Sequence, residues 1–459
     1  MPGLCSVYWK EEPALPERFK EYLSQVEQSI RWQRARPFAL RELRTHLLEQ
    51  KEFFLQEGMG EREAEEAAVR DMGDATEVGT GLDAVHRPRE QWLFLGTVVF
   101  LALFSIFLRF FLTWGHEFET PHFLKTAAAL IGGLVFMAAL YLMDYRVLMR
   151  HGEKVYITAI LLGLLTWRFG PHVNHAAWYT RHVVLFYPAV YAIWLNTCHN
   201  KGWKGIFLAI FGGVPLVMIA CVAPYLTGLA LLLFVGFVLL LAAAGMDWFG
   251  VGRPAGFLAA ISSAVVILFA SAGKMLRSAS FIWRVTVMLH PENDPLGCGY
   301  QAISVREMLS GVQWIGETTA VSAYGAYPYE YLVPEWNTDF LLTTIACKLG
   351  LLVFFLTAGV MLALFAVLMT RTCRGRNPFG RLLACSAVLP LLLQTIGAVV
   401  QNLGYVFASL PIPFLSGNIV MVETLALVGM SLSVLRQQDL PEEQGGIYQR
   451  KWKLVLIAE

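Results

Sequence analysis

From Gln91 to about residue 435 the chain is a succession of apolar runs, each long enough to cross the roughly 30 Å hydrocarbon core of a bilayer. Lipid offers no hydrogen bonds to bare backbone, so spans of this kind must be helical. The runs predict about ten transmembrane helices, near 91–113, 121–145, 154–170, 179–197, 204–222, 225–245, 256–275, 338–370, 381–409 and 411–435. Only 15% of residues are charged and 56% are hydrophobic, a balance foreign to a soluble domain of this size. The net charge of +1 argues against a nucleic-acid partner. Seven cysteines lie scattered without CxxC or His–Cys spacing, so neither a metal site nor a disulfide framework is expected.

Basic residues mark which side of the bilayer the short loops face. Arg146, Arg150 and Lys154, then Lys201 and Lys204, then Arg253, then Arg371, Arg374, Arg376 and Arg381 fall in alternate loops. The intervening loops hold chiefly Arg168 and Arg181. This alternation expects a multi-pass membrane protein with both termini cytoplasmic, a long outer loop over 274–337 and a cytoplasmic tail over 436–459.

Residues 1–90 read differently. They are too polar and acidic for a signal peptide. Leucines at helical spacing run through Arg41 to Gln50, Gly58 suits a helix C-cap, and Ala64, Ala67 and Ala68 share one side of a helix over 61–72. Asp74 to Glu77 opens another helix as a capping box. The expectation is a small soluble helical domain ahead of the membrane domain over 91–435, and its Glu-Gly-Met-Gly-Glu pattern resembles the helical prefix domains fused to some permeases.

Within the membrane part, one carboxylate stands out. Val333-Pro-Glu-Trp-Asn-Thr-Asp-Phe340 puts Asp339 where the outer loop re-enters an apolar helix. An ionisable group beside lipid is costly unless it has a task; capping the helix is the plainer alternative. Two further blocks carry polar residues in the same region, His290-Pro-Glu-Asn-Asp-Pro-Leu-Gly-Cys-Gly-Tyr-Gln301, and Gln394 through Gln401-Asn402 to Leu410-Pro-Ile-Pro-Phe-Leu-Ser416. The histidines His172, His175 and His182 cluster outside without ligand geometry, and Glu423 reads as a satisfied interior carboxylate.

Together, in this order and topology, the three blocks resemble the SEDS family (shape, elongation, division and sporulation), which includes FtsW, RodA and SpoVE. These are ten-helix peptidoglycan glycosyltransferases of the bacterial cytoplasmic membrane. The resemblance implies that Asp339 is the catalytic residue and that Pro334, Glu335, Thr338, Tyr300, Gln301, Gln401, Asn402 and Ser416 bind substrate. It implies lipid II, membrane lipid and a class B penicillin-binding protein as partners. Lipid II polymerisation is attack of a sugar 4-hydroxyl on an anomeric carbon bearing a lipid pyrophosphate. A carboxylate there serves as general base, or orients a divalent cation such as Mg near the leaving group; no other cofactor is expected.

The chain also departs from the family pattern. Tyr225 replaces an aspartate, Val190 and Ile193 replace a Glu and a Lys, Lys348 reverses an acidic position, and Asn174-His-Ala-Ala-Trp178 lacks two arginines. Arg168, Arg181 and Arg284 are the candidates to substitute for these arginines. A non-catalytic scaffold or regulator of wall synthesis on the same fold, and a translocase for lipid-linked precursors, are the competing functions.

Overall fold

A computed structural model describes residues 15–32, 36–86, 90–113, 120–173, 176–223, 226–275, 279–318, 333–406 and 410–437. Tyr225, Asn174, His175 and the tail from 438 lie outside the described residues. The chain divides into two compact units, within 1–89 and within 90–438.

The first unit contains four helices, α1 (Glu17–Ser29), α2 (Arg36–Gln56), α3 (Glu61–Met72) and α4 (Ala75–His86). Gly58, at φ +92°, ends α2 in the left-handed conformation that glycine adopts without strain. The Asp74 carboxylate accepts from the amides of Thr76 and Glu77, both at 3.0 Å, and so caps α4. Phe19, Tyr22 and Val26 of α1, a helix that the leucine spacing had not marked, bury against Leu43, Leu47 and Ala68. The Asp83 carboxylate holds the chain after α1 by accepting from the amides of Arg31 (2.9 Å) and Trp32 (3.1 Å). Because this core is made within the unit, isolated residues 1–86 should give a helical circular-dichroism spectrum with a cooperative melt; a random-coil spectrum would refute an independently folding domain.

The second unit begins with α5 (Trp92–Thr113), α6 (Thr120–Leu142), the short α7 (Arg146–Arg150) and α8 (Gly152–Phe169). A two-residue hairpin, His172–Val173 against Ala176–Ala177, leads to α9 (Trp178–Leu185) and α10 (Tyr187–Thr197). Then come α11 (Trp203–Val222), α12 (Leu226–Gly245), α13 (Arg253–Met275), α14 (Ala279–Leu289) and α15 (Tyr300–Ser310). The unit closes with α16 (Leu341–Leu349), α17 (Leu351–Cys373), α18 (Pro378–Asn402) and α19 (Asn418–Gln437). Among the described residues seven of these helices are long and apolar enough to span a bilayer: α5, α6, α11, α12, α17, α18 and α19. With α8, the broken pair α9–α10 and α13 at the other positions, the unit is an all-α polytopic membrane bundle.

Several boundaries differ from those read from the apolar runs. The run expected over 179–197 breaks at Phe186, where Pro188 in the first turn of α10 favours a fresh helix start. The run expected from 338 starts at Leu341 and breaks at Gly350, whose φ of +100° no L side chain adopts comfortably. The last helix starts at Asn418 instead of 411, because Ile412 to Ser416 turn back on themselves. The outer loop itself carries α14 and α15.

Long-range packing is densest between α6 and α19, which run parallel. Small residues permit it: Gly133 sits on Leu425, and Gly429 on the backbone of Met137. Polar ties mark both ends, from Thr126 Oγ1 to Asn418 Oδ1 at 3.1 Å to Ser433 Oγ donating to the Met143 carbonyl at 2.6 Å. At the latter end Glu90 accepts from Tyr141 at 2.6 Å and pairs with Arg436 at 2.9 Å, joining the start of α5 to the ends of α6 and α19.

Two family departures acquire physical meaning here. Val190 and Ile193 are buried in the apolar core, so their replacement of a charged pair leaves no stranded charge. Lys348, in the last turn of α16, donates through Nζ to the Leu112 carbonyl at 2.7 Å, satisfying an orphan acceptor in the last turn of α5.

Candidate active site

The turn before α16 is anchored by its apolar ends. Val333 and Phe340 are buried with Val305 and Met308 of α15 and Cys347 of α16. Between them the chain closes on one acceptor: the Glu335 carbonyl receives the amides of Thr338 (2.9 Å) and Phe340 (3.2 Å) and the Thr338 hydroxyl (3.2 Å). Glu335 adopts a φ of +63°, an uncommon conformation for a residue with a side chain and one associated with functional turns. The tight closure brings the Glu335 and Asp339 carboxyl groups into a hydrogen bond.

Asp339 is not the helix cap. Phe340 occupies the N-cap position of α16. Two side chains from the C-terminus of α18 instead hold the Asp339 backbone: its carbonyl accepts from Asn402 Nδ2 at 3.0 Å and Gln401 Nε2 at 3.2 Å. Asn402 is fully buried, and its Oδ1 accepts from the Thr343 amide and hydroxyl, both at 2.9 Å, tying α18 to the first turn of α16. Gln401 Oε1 accepts from the Leu410 amide at 2.8 Å. Ser416 completes the group, donating to Asp339 Oδ1 at 3.4 Å while its Oγ receives the Ile412 amide at 2.6 Å.

Glu335, Thr338, Gln401, Asn402 and Ser416 therefore gather around Asp339, and Pro334 stands exposed at the head of the turn. Tyr300 and Gln301 open α15 outside this hydrogen-bonded group; from the sequence they differ in no way from residues that join it. The site lies at the end of α18 and α19 opposite Glu90 and Arg436, hence opposite the basic loops.

Electrostatics divides the two carboxyls. Glu335 as a residue is exposed, yet partial desolvation of its carboxyl by the surrounding turn, the negative charge of Asp339 and the hydrogen bond to it push that carboxyl up to about 7, against the pull of Arg181. Glu335 therefore gains and loses its proton near neutral pH.

Of the three arginines offered as substitutes, Arg181 is the one whose charge acts on the Glu335 carboxyl. Arg168 is exposed beside Phe169, and Arg284 is exposed on α14. The Arg181 guanidinium lies 3.6 Å from the Trp178 ring centroid, and its Nε is 3.4 Å from His182 Nε2. His182 Nδ1 is in turn 2.7 Å from Glu423 Oε1 of α19, with both residues buried. Glu423 is interior as its sequence position suggested and approaches His182 through Oε1, but its Oε2 has no hydrogen-bond partner among the described residues, so it is not the fully satisfied carboxylate expected. Among the described residues no cluster of three or more His, Cys, Asp or Glu could hold a metal ion. Arg109 of α5 escaped the reading of the sequence, although an arginine inside an apolar span is itself a pointer. Its guanidinium packs against Gly417 so closely that no Cβ fits there.

Comparison with known proteins gives a coherent set of relatives. Residues 89–440 match the family model described as cell cycle protein, FtsW/RodA/SpoVE. The peptidoglycan glycosyltransferase MrdB of Escherichia coli K12 is 30% identical over 166 residues, which are 33% of this chain and 40% of that protein. This chain thus spans about 40% of the length of the first such relatives. The probable peptidoglycan glycosyltransferase FtsW of Mycobacterium tuberculosis is 32% identical over 239 residues, 49% of this chain and 42% of that one. The probable FtsW of Xanthomonas oryzae pv. oryzae is 25% identical over 397 residues, 81% of this chain and 78% of that one. Among solved structures, a chain from a peptidoglycan synthase complex that coordinates polymerization and crosslinking superposes with a TM-score of 0.57. It is 19% identical in sequence, and the match covers 74% of this chain and 97% of that chain.

Proposed function

This chain belongs to the FtsW/RodA/SpoVE family of cell cycle proteins, and from that premise we propose that it is a peptidoglycan glycosyltransferase polymerising lipid II in bacterial cell wall synthesis, in division, elongation or sporulation. The observation that carries the proposal is the Glu335–Asp339 carboxyl pair, held by α18 and Ser416 at one end of a membrane bundle. A tail-in-lipid, sugar-in-water substrate presents its reacting atoms at such a place. Asp339 accepts the proton of the attacking 4-hydroxyl as its oxygen bonds to the anomeric carbon; the bond from that carbon to the lipid pyrophosphate breaks, and the pyrophosphate leaves with the electron pair. Protonated Glu335 donates to Asp339 and holds it in line. Arg181 supplies positive charge beside the carboxyls. In the alternative reading, with Glu335 ionised, Glu335 and Asp339 would together hold a divalent cation such as Mg, which would supply Lewis-acid stabilisation of the leaving group.

The test is polymerisation of lipid II by the purified full chain, alone and with its transpeptidase partner, which we take to be a class B penicillin-binding protein. A folded protein inactive in both settings would overturn the enzyme assignment in favour of a scaffold.

The raised Glu335 carboxyl has a measurable consequence. As pH rises through about 7, Glu335 ionises and adds negative charge where an anionic pyrophosphate binds. The KM for lipid II should therefore rise across that range in the wild type. In Glu335→Gln, which carries no titrating group, the rise should vanish while turnover persists. An unaltered pH dependence of KM in the variant would show that the proton belongs elsewhere.

Orientation follows from the basic loops: both termini cytoplasmic, the carboxyl pair outward. A cysteine introduced at Glu292 should label with a membrane-impermeant reagent in intact cells, and one at Arg374 only after permeabilisation. Labelling of both from one face would reverse that topology.

A further inference from the structure

We propose that the groove between α2 and α3 of the first unit is the docking site for a segment of this same chain, the basic and aromatic residues 447–458 beyond α19. The groove encloses about 520 Å³ and is lined by His46, Glu49, Gln50, Phe53 and Phe54 of α2 and Asp71 of α3. The two phenylalanine rings meet edge to face with their centroids 5.5 Å apart. Phe54 packs on the core of the unit, whereas Phe53 is 54% exposed. A lone exposed ring is ordinary. This one stands in a concave site beside two exposed carboxylates, Glu49 and Asp71, and among the described residues no lysine or arginine lines it. Such a lining selects an occupant that is aromatic and cationic at once: a ring against Phe53, positive charge for the carboxylates.

Residues 447–458 have that chemistry. Arg450, Lys451 and Lys453 flank Trp452, Tyr448 precedes them, and no acidic residue interrupts. Gly445-Gly446 separates the segment from the acidic stretch Asp439 to Glu443. The other arginine-rich stretch, Arg371 to Arg381, is fixed in the α17–α18 connection with its Phe379 already buried. Chain connectivity keeps the segment near. Arg436 pairs with Glu90 at 2.9 Å, so the chain leaves α19 beside the point where it enters from the first unit. Only residues 87–89 separate Glu90 from the end of α4 at His86. At full stretch, residues 438–446 span about 30 Å, against a radius of gyration of about 11 Å for a domain of about 70 residues. Tethered so closely, the segment meets the groove at an effective concentration in the millimolar range, and a contact of that modest strength keeps it seated. Both tethers leave one end of the bundle, so the argument holds whichever side of the membrane that end faces, and it rests on no enzymatic reading. Seated, the segment closes the groove to basic, aromatic segments of other proteins; released, it opens the groove to them.

The test is photo-crosslinking in the full chain, carried in nanodiscs that contain anionic lipid, with p-benzoyl-phenylalanine in place of Trp452. Peptide mass spectrometry should find the adduct on α2 or α3 of the same chain. Glu49→Lys with Asp71→Lys should lower its yield by a factor of about 5 or more. Adding Lys451→Glu with Lys453→Glu to that variant should restore it. Phe53→Ser should also lower the yield, with an unchanged melting curve because the ring lies outside the core of the unit. Rescue by the reversed charges separates docking from damage to the fold. Adducts on lipid would overturn the proposal in favour of a membrane-bound tail, and adducts of doubled mass in favour of a second copy. No adduct on α2 or α3, or one indifferent to charge reversal, would overturn it outright.

Discussion

Replacing Asp339 by Asn should lower lipid II polymerisation by a factor of about 10² or more, the scale of losing general-base catalysis, while the amount and melting temperature of folded protein stay near wild type. The second half follows from how the residue is held. Gln401 and Asn402 grip the backbone carbonyl of residue 339, whatever its side chain. An Asn oxygen still accepts from Ser416, and α16 takes its N-cap from Phe340. Only the charge and basicity are removed. Steady-state rates on protein matched by size-exclusion fluorescence decide the matter. If the variant polymerises as fast as the wild type, Asp339 is not the base; if activity and abundance fall together and modestly, its role is structural.

The reverse pattern is expected for Asn402→Leu. This fully buried amide satisfies the Thr343 amide and shares the Asp339 carbonyl with Gln401. A leucine of similar size strands the first group outright and halves the support of the second. A buried polar group left without a partner costs about 1–3 kcal/mol. The protein should melt several degrees lower, and activity per folded molecule should also fall, because the turn bearing Asp339 loses one of its two clamps. A melting curve superimposable on the wild type would mean that the α16–α18 junction does not depend on this residue.

Asn402 shows where reading the sequence stopped. Its place in a motif resembling the SEDS family marked it as substrate-binding, and the structure shows a task no motif announces, holding backbone together. The motif gathered Gln401, Asn402 and Ser416 with Asp339 because all four meet at one turn. Apolar length located the spans for an elementary reason: lipid requires helices. It missed the breaks at Phe186 and Gly350 because both halves of each span are equally apolar, and hydropathy cannot register a change of direction. Pro188 and Gly350 were the sole local signs. The meeting of Arg181, His182 and Glu423 was beyond reach for another reason. Each is visible as an ionisable residue in an apolar run, but which of them pair depends on α9 lying beside α19, and no local pattern encodes that neighbourhood.

The parallel contact of α6 with α19 imposes a schedule on the making of this protein. Thr126 bonds to Asn418 across 292 residues of chain. At about 5–20 residues per second, a ribosome needs on the order of 15–60 s to deliver the second helix's partner. Throughout that interval the notch at Gly133, shaped to receive Leu425, faces lipid or an insertion factor instead. The nascent bundle is thus open along α6 until α19 arrives, and a message truncated before α19 yields a product whose second helix keeps α5 but lacks its main packing partner, a ready substrate for membrane quality control.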